Sequence, residues 1–123
     1  MNGINYTGIS DNVIVNKSFQ FALSIIQYAE ALEGEKKYVI ANQLLKSGTS
    51  IGANVWESQH AESKADFIHK LKIAAKEAKE TEYWLLLCKL RVGYPDTSDK
   101  LDKLLEVQKL LSRIIHSSKL NSK

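Results

Sequence analysis

Two acid and histidine pairs are the residues of this sequence whose spacing could bind a metal. Glu57 precedes His60 by three positions, and Asp66 precedes His69 by the same interval. Di-iron four-helix bundles use two Glu-x-x-His units and two further glutamates, all projecting inward from facing helices. Here both pairs fall near a predicted bundle end, and the further glutamates are not evident. We therefore expect surface histidines and predict no metal, no cofactor and no catalytic residue.

Three lysines share one face of a predicted helix, where they could contact phosphate groups. Lys72, Lys76 and Lys79 follow one another at spacings of four and three, so their ammonium groups point the same way. Lys46 and Lys70 are secondary candidates for the same role. Such contacts give salt-sensitive and mostly sequence-independent binding of nucleic acid. The alternative is a charged helix face that only meets solvent.

The charge distribution is asymmetric along the chain. Residues 63–93 contain seven Lys or Arg against four Asp or Glu, and residues 94–123 contain six against four, whereas residues 11–34 contain one against three. The formal net charge of +3 permits an acidic partner without requiring one. Repetition of the lysines around a symmetric assembly would turn a modest basic patch into a belt.

Apolar side chains follow the lysines along the same helix. They are Tyr83, Trp84, Leu86, Leu87 and Leu90, and they give this helix more apolar surface than one bundle core can cover. We interpret them as an interface between copies of the chain. A scaffold that binds only protein through the surface of residues 83–90 is the alternative function.

The composition indicates one all-α domain. Of 123 residues, 44% are hydrophobic, one is proline and six are glycine, which favours helices over a turn-rich β fold. Cys88 is the single cysteine, so no internal disulfide can form, and we expect a packed thiol. No apolar run reaches the roughly 18 residues of a membrane helix, and the opening residues lack the pattern of a secretory signal. We expect a cytoplasmic protein without a membrane or small-molecule partner.

Hydrophobic periodicity and capping signals predict four helices. Their predicted bounds are 11 or 12 to 34, about 35 to 58, 63 to 92, and 96–98 to about 118. The predicted core faces of the first and third helices are Ile14, Val15, Phe19, Ala22, Ile25, Ile26 and Ala29, and Phe67, Leu71, Ala74, Ala78, Leu85 and Val92. Short connections predict an antiparallel up-down-up-down bundle at 11–118, with a flexible arm at 1–10 and a frayed tail at 119–123.

The second helix contains small residues where alanine would be the better helix former. Gly48 and Gly52 are four residues apart and predict close approach of another helix, since neither has a side chain. Its polar face is formed by Ser47, Ser50 and Asn54. We expect these side chains to supply hydrogen bonds to Glu82, which we predict to be buried on the third helix. The alternative is that residues 46–54 form a loop.

Two segments in this order resemble a known family. QLLKSGTSIGANVWES at 43–58 and KADFIHKLKIAAKEAKETEYWLLL at 64–87 are similar to bacterial 23S ribosomal RNA intervening-sequence proteins, a four-helix-bundle family that includes the accessory variability determinants of diversity-generating retroelements. The resemblance covers roughly residues 12 to 118. The positions that match the family pattern are Ser50, Gly52, Asn54, Asp66, Phe67, Lys76, Glu77, Glu80, Thr81, Glu82 and Trp84.

The resemblance implies an antiparallel bundle that assembles as a homopentameric barrel without catalysis. In the retroelement members, it implies a basic barrel surface that binds nucleic acid and a partner reverse transcriptase. We therefore predict a non-enzymatic oligomeric bundle that presents a basic surface to RNA or to a nucleic-acid-bound protein, such as a reverse transcriptase or a ribosomal component.

Overall fold

The computed structural model describes residues 12–121, which form a four-helix bundle. The helices are α1 (Val13–Gly34), α2 (Tyr38–Ser58), α3 (Lys64–Leu90) and α4 (Ser98–Leu120). The described part of the chain contains no β-strand, so the all-α prediction is confirmed. The predicted arm at residues 1–10 lies outside the described residues, as do residues 122 and 123. α4 continues through Leu120, beyond the predicted bundle limit at residue 118.

Side-chain caps begin α1 and α3. Asn12 Oδ1 accepts hydrogen bonds from the amides of Ile14 at 3.2 Å and Val15 at 3.5 Å. Ser63 Oγ accepts a hydrogen bond from the amide of Asp66 at 3.0 Å. These oxygens satisfy amide groups that have no partner inside the helix, so both helices start where the sequence predicts.

Two predicted helix boundaries are wrong. α2 begins at Tyr38 rather than near Glu35, because Lys36 has a φ of 65°, a left-handed conformation that a right-handed helix does not include. α3 ends at Leu90, and Val92 lies beyond it with 96% of its surface exposed. Val92 therefore does not belong to the core face of α3.

Apolar side chains from all four helices form the core. Consecutive helices contact each other, and α1 also contacts α4, so the four helices enclose the core as a ring. The largest fully buried side chains include Phe21, Ile25, Leu32, Leu44, Ile51, Leu71, Leu85, Leu104 and Leu111. Cys88 is buried among them.

Polar contacts show the order in which residues of neighbouring helices meet. Lys17 Nζ lies 3.0 Å from Glu106 Oε2, and further along α1 the Tyr28 hydroxyl donates to the carbonyl of Pro95 at 2.8 Å. Later residues of α1 thus contact earlier residues of α4 or of the segment just before it. The same order relates α2 to α3, in the pairs Glu57 with Lys70 and Ser47 with Thr81.

The glycine-containing segment at 46–54 is helical, so the loop alternative is wrong. A Cβ atom at Gly48 would lie 2.7 Å from Ile25 Cγ2, and a Cβ atom at Gly52 would lie 3.2 Å from the carbonyl oxygen of Ser18. Both distances are shorter than ordinary van der Waals contact between such atoms. The two glycines therefore let the α1 backbone lie directly against α2.

Candidate nucleic-acid interface

The predicted lysine face lies on the outer side of α3. Lys72, Lys76 and Lys79 are all exposed, opposite the buried face that includes Leu71. The side chain of Lys79 is 78% exposed, and its Nζ lies 3.4 Å from Glu82 Oε1. An exposed ion pair of this length holds the lysine only weakly, so all three ammonium groups remain accessible to a partner.

A fourth cation, which the sequence analysis did not identify, comes from α4. Lys119 is close enough to Lys72 that the interaction between the two amino groups lowers the pKa of Lys72. Neither lysine forms an ion pair with another residue in the range 12–121. Two adjacent ammonium groups without a carboxylate between them are suited to a shared anion, which would relieve their repulsion.

The two secondary lysines have acidic neighbours within the chain. Lys70 Nζ lies 3.0 Å from Glu57 Oε1, and this hydrogen bond raises the pKa of Lys70. Burial raises the pKa of Glu77, with Glu80 acting in the same direction, while the charge of nearby Lys46 opposes the shift. Lys70 is therefore less available to phosphate than Lys72, whereas Lys46 is exposed.

A basic depression lies at the end of the bundle where α3 starts and α4 finishes. Its lining includes Lys64 from α3 and Arg113, Ser117 and Ser118 from α4. The basic surface therefore involves both helices rather than α3 alone. The six basic residues of the segment 94–123 were the sequence signal for it, but their spacing does not show which of them meet α3.

The prediction that Glu82 is buried and accepts hydrogen bonds from the polar face of α2 is wrong. Its side chain is 35% exposed and accepts a hydrogen bond from Gln108 Nε2 of α4 at 3.1 Å, which lowers the pKa of the carboxyl group. The polar side chains of α2 bond elsewhere: Ser47 accepts from Thr81 at 3.0 Å, and Asn54 donates to Ser50 at 3.2 Å. Glu82 thus faces α4. The residue of α3 that faces α2 at this level is Thr81.

The predicted apolar surface at the end of α3 is open. Tyr83, Leu86, Leu87 and Leu90 are exposed. Trp84 differs: it is half-buried, and its Nε1 donates to Glu80 Oε2 at 3.1 Å. Four of the five predicted interface side chains are therefore available to another molecule, and Trp84 packs against its own chain.

A second apolar surface, which the sequence analysis assigned partly to the core, lies between α1 and α2. Leu23, Ile26 and Trp56 are exposed, and they line a groove together with half-buried Phe19 and with Gly52. The predicted core face of α1 is therefore exposed along one edge only, because the side chains that point towards α3 and α4 are buried in the core.

The acid and histidine pairs do not converge. Glu57 pairs with Lys70, and Asp66 Oδ2 accepts from the amide of Glu62 at 3.2 Å at the start of α3. Within residues 12–121, no group of three His, Cys, Asp or Glu side chains is arranged to hold a metal ion. None of the helices in the same range is both long and apolar enough to cross a membrane.

The sequence matches one known protein family. Residues 10–117 match the family described as 23S rRNA-intervening sequence protein. The chain belongs to this family. The match covers α1, α2 and α3 and continues into α4 as far as residue 117, so the resemblance to the 23S rRNA-intervening sequence family is confirmed.

A solved structure gives the same fold. The chain is similar to a crystal structure from Bacteroides thetaiotaomicron, described as a protein of unknown function from the S23 ribosomal protein family, with 45% sequence identity and a TM-score of 0.76. The similarity covers 83% of this chain and 97% of that one. No curated protein matches the chain.

Proposed function

We propose that the chain is a non-enzymatic, cytoplasmic protein whose copies assemble and bind RNA through a basic surface on α3 and α4. The observation that carries this proposal is the row of exposed lysines on the outer face of α3, Lys72, Lys76 and Lys79, beside which exposed Lys119 of α4 lowers the pKa of Lys72. A phosphate group is the ligand that best matches them, because each ammonium group can donate to a separate phosphate oxygen.

RNA is the favoured source of the phosphate. The family description refers to a 23S rRNA-intervening sequence, and the related Bacteroides protein is assigned to a ribosomal protein family. Lysines that contact the backbone carry no sequence information. The bundle should therefore bind RNA with affinity that depends strongly on salt and weakly on sequence.

The subunit arrangement forms part of the proposal. The order of the contacts between α1 and α4 and between α2 and α3 supports an antiparallel up-down-up-down bundle. The exposed apolar side chains at the end of α3 support association of copies, and a homopentameric barrel is the form that the family resemblance implies. Repeated copies would bring the Lys72 and Lys119 pairs into one array.

The test compares two double variants. Lys72→Gln with Lys119→Gln removes the unpaired cations, whereas Lys17→Gln with Lys103→Gln removes the same charge from lysines that pair with Glu106 and Asp99. Binding of a labelled single-stranded RNA of mixed sequence is measured across a series of salt concentrations. In the first variant, the slope of log affinity against log salt concentration should become less negative by about 0.7 for each phosphate that the protein no longer neutralises. The second variant should leave the slope unchanged. Equal slopes for both variants, or no binding by the unmodified protein, would contradict RNA binding at this surface.

A protein-only scaffold is the second candidate, favoured by the exposed Tyr83, Leu86, Leu87 and Leu90. On that account the surface of residues 83–90 binds only another protein. Such a scaffold should show no RNA binding at any salt concentration, so the same salt series separates the two functions.

A further inference from the structure

Three aromatic residues line a depression at the end of the bundle where α1 ends and α2 begins. They are Tyr38, the first residue of α2, Trp84 of α3, and Tyr94 of the connection between α3 and α4. Lys36 and Lys37, from the turn between α1 and α2, line the same depression. Aromatic rings beside cationic side chains are the combination by which proteins hold single-stranded nucleic acid.

A second depression adjoins the first and adds another cation. Ile40 and Tyr94 line both depressions, and Arg91, which directly follows α3, lines the second. The cavity volumes are about 270 Å³ and about 260 Å³, below the roughly 300–1,000 Å³ of pockets for drug-sized ligands. Each depression therefore suits one flat ring rather than a larger molecule.

The basic residues around the two depressions differ in their contacts within the chain. Lys37 Nζ lies 2.8 Å from Glu35 Oε1 and 4.8 Å from the centre of the Tyr94 ring, so Lys37 is already engaged and supports that ring. Lys36 and Arg91 are exposed, and neither forms an ion pair with another residue in the range 12–121. These two cations are therefore available to donate to a phosphate group.

The three aromatic rings are not equally open. Trp84 and Tyr94 are half-buried, and the indole of Trp84 is held at its edge by the hydrogen bond to Glu80 Oε2 at 3.1 Å. Tyr38 is 59% exposed, and no aromatic ring of the described residues packs against it. Tyr38 is therefore the ring on which an incoming base can stack.

We infer that this surface binds one unpaired base of a single-stranded RNA, with the base stacked on Tyr38 and a neighbouring phosphate held by Lys36 and Arg91. The inference rests on the RNA binding of the proposed function and adds a contact to a base, which the lysines of α3 do not supply. Every base has an aromatic face, so the contact favours unpaired over paired RNA without selecting a sequence.

The base site lies apart from the other surfaces of the proposed function. Of the exposed apolar side chains at the end of α3, only Leu87 lines either depression. Lys72 precedes Trp84 by 12 positions on α3, which is about 18 Å along the helix axis at the usual rise. An RNA strand that contacts both the lysine row and the base site must therefore run along the bundle.

Two replacements of Tyr38 test the stacking. Tyr38→Leu keeps an apolar side chain but removes the aromatic face, whereas Tyr38→Phe keeps the face and removes only the hydroxyl. The probes are a single-stranded RNA of mixed sequence and a strand of equal length built from a stable abasic analogue, compared at one low salt concentration. The unmodified protein should bind the RNA about fivefold or more tightly than the abasic strand, the smallest effect expected of one stacked base. Tyr38→Leu should lose this preference and Tyr38→Phe should keep it, with circular dichroism to check helical content.

A comparison with the lysine variant separates this inference from the proposed function. Lys72→Gln with Lys119→Gln should weaken binding of both strands and keep the preference for the RNA, because the base site lies towards the other end of the bundle. Equal binding of the two strands by the unmodified protein, or a preference that survives in Tyr38→Leu, would overturn the base site and leave the phosphate contacts in place. No binding of either strand would overturn both and leave the aromatic surface to a protein partner.

Discussion

Gly48 shows how one missing methyl group sets the spacing between two helices. A Cβ atom there would lie 2.7 Å from Cγ2 of Ile25, and Ile25 is fully buried. Its branched side chain has little freedom to move away. The absence of a side chain at Gly48 therefore fixes the distance between α1 and α2.

Replacement of Gly48 by alanine should destabilise the protein despite the better helix propensity of alanine. Overpacking in a filled core costs about 1–3 kcal/mol, against a gain in helix propensity of about 0.5–1 kcal/mol. The free energy of unfolding, measured with urea at one fixed protein concentration, should fall. Gly34→Ala is the control, since a Cβ atom at Gly34 meets nothing within 4 Å, and its stability should not fall. A Gly48→Ala variant at least as stable as Gly34→Ala would contradict the close packing of α1 on α2.

The helices are the parts of this molecule that its sequence predicts best, because their signals are local. Ser63 and Asp66 are three residues apart and cap α3 by themselves, and the periodic apolar residues place the core faces. Pairings between helices are less predictable. The position of Glu82 on a helical wheel does not show that Gln108 of α4 will meet it, and no spacing within α3 shows that Lys119 lies beside Lys72.

The start of α3 depends on its cap. Ser63→Ala removes the hydroxyl that accepts from the amide of Asp66 and should lower the free energy of unfolding by about 0.5–2 kcal/mol. Ser112→Ala, at an exposed position inside α4, should raise stability slightly or leave it unchanged, because alanine is the better helix former. Urea unfolding of the two variants measures the difference, and equal stabilities would show that the cap does not hold the helix end.

At the scale of the whole molecule, the exposed apolar surface bears on whether copies of the chain associate. One bundle buries its core but leaves two separate apolar surfaces open, at the end of α3 and between α1 and α2. Exposed patches of this kind usually mark sites of association. Assembly would cover both and repeat the Lys72 and Lys119 pair around the particle, which links the proposed RNA binding to the oligomer.

The mass of the unmodified protein in dilute solution tests this account most directly. Light scattering coupled to size-exclusion chromatography, without RNA, should give a particle several times heavier than the single chain of 13.8 kDa. A mass of 13.8 kDa at every concentration at which the helices remain folded would contradict the account.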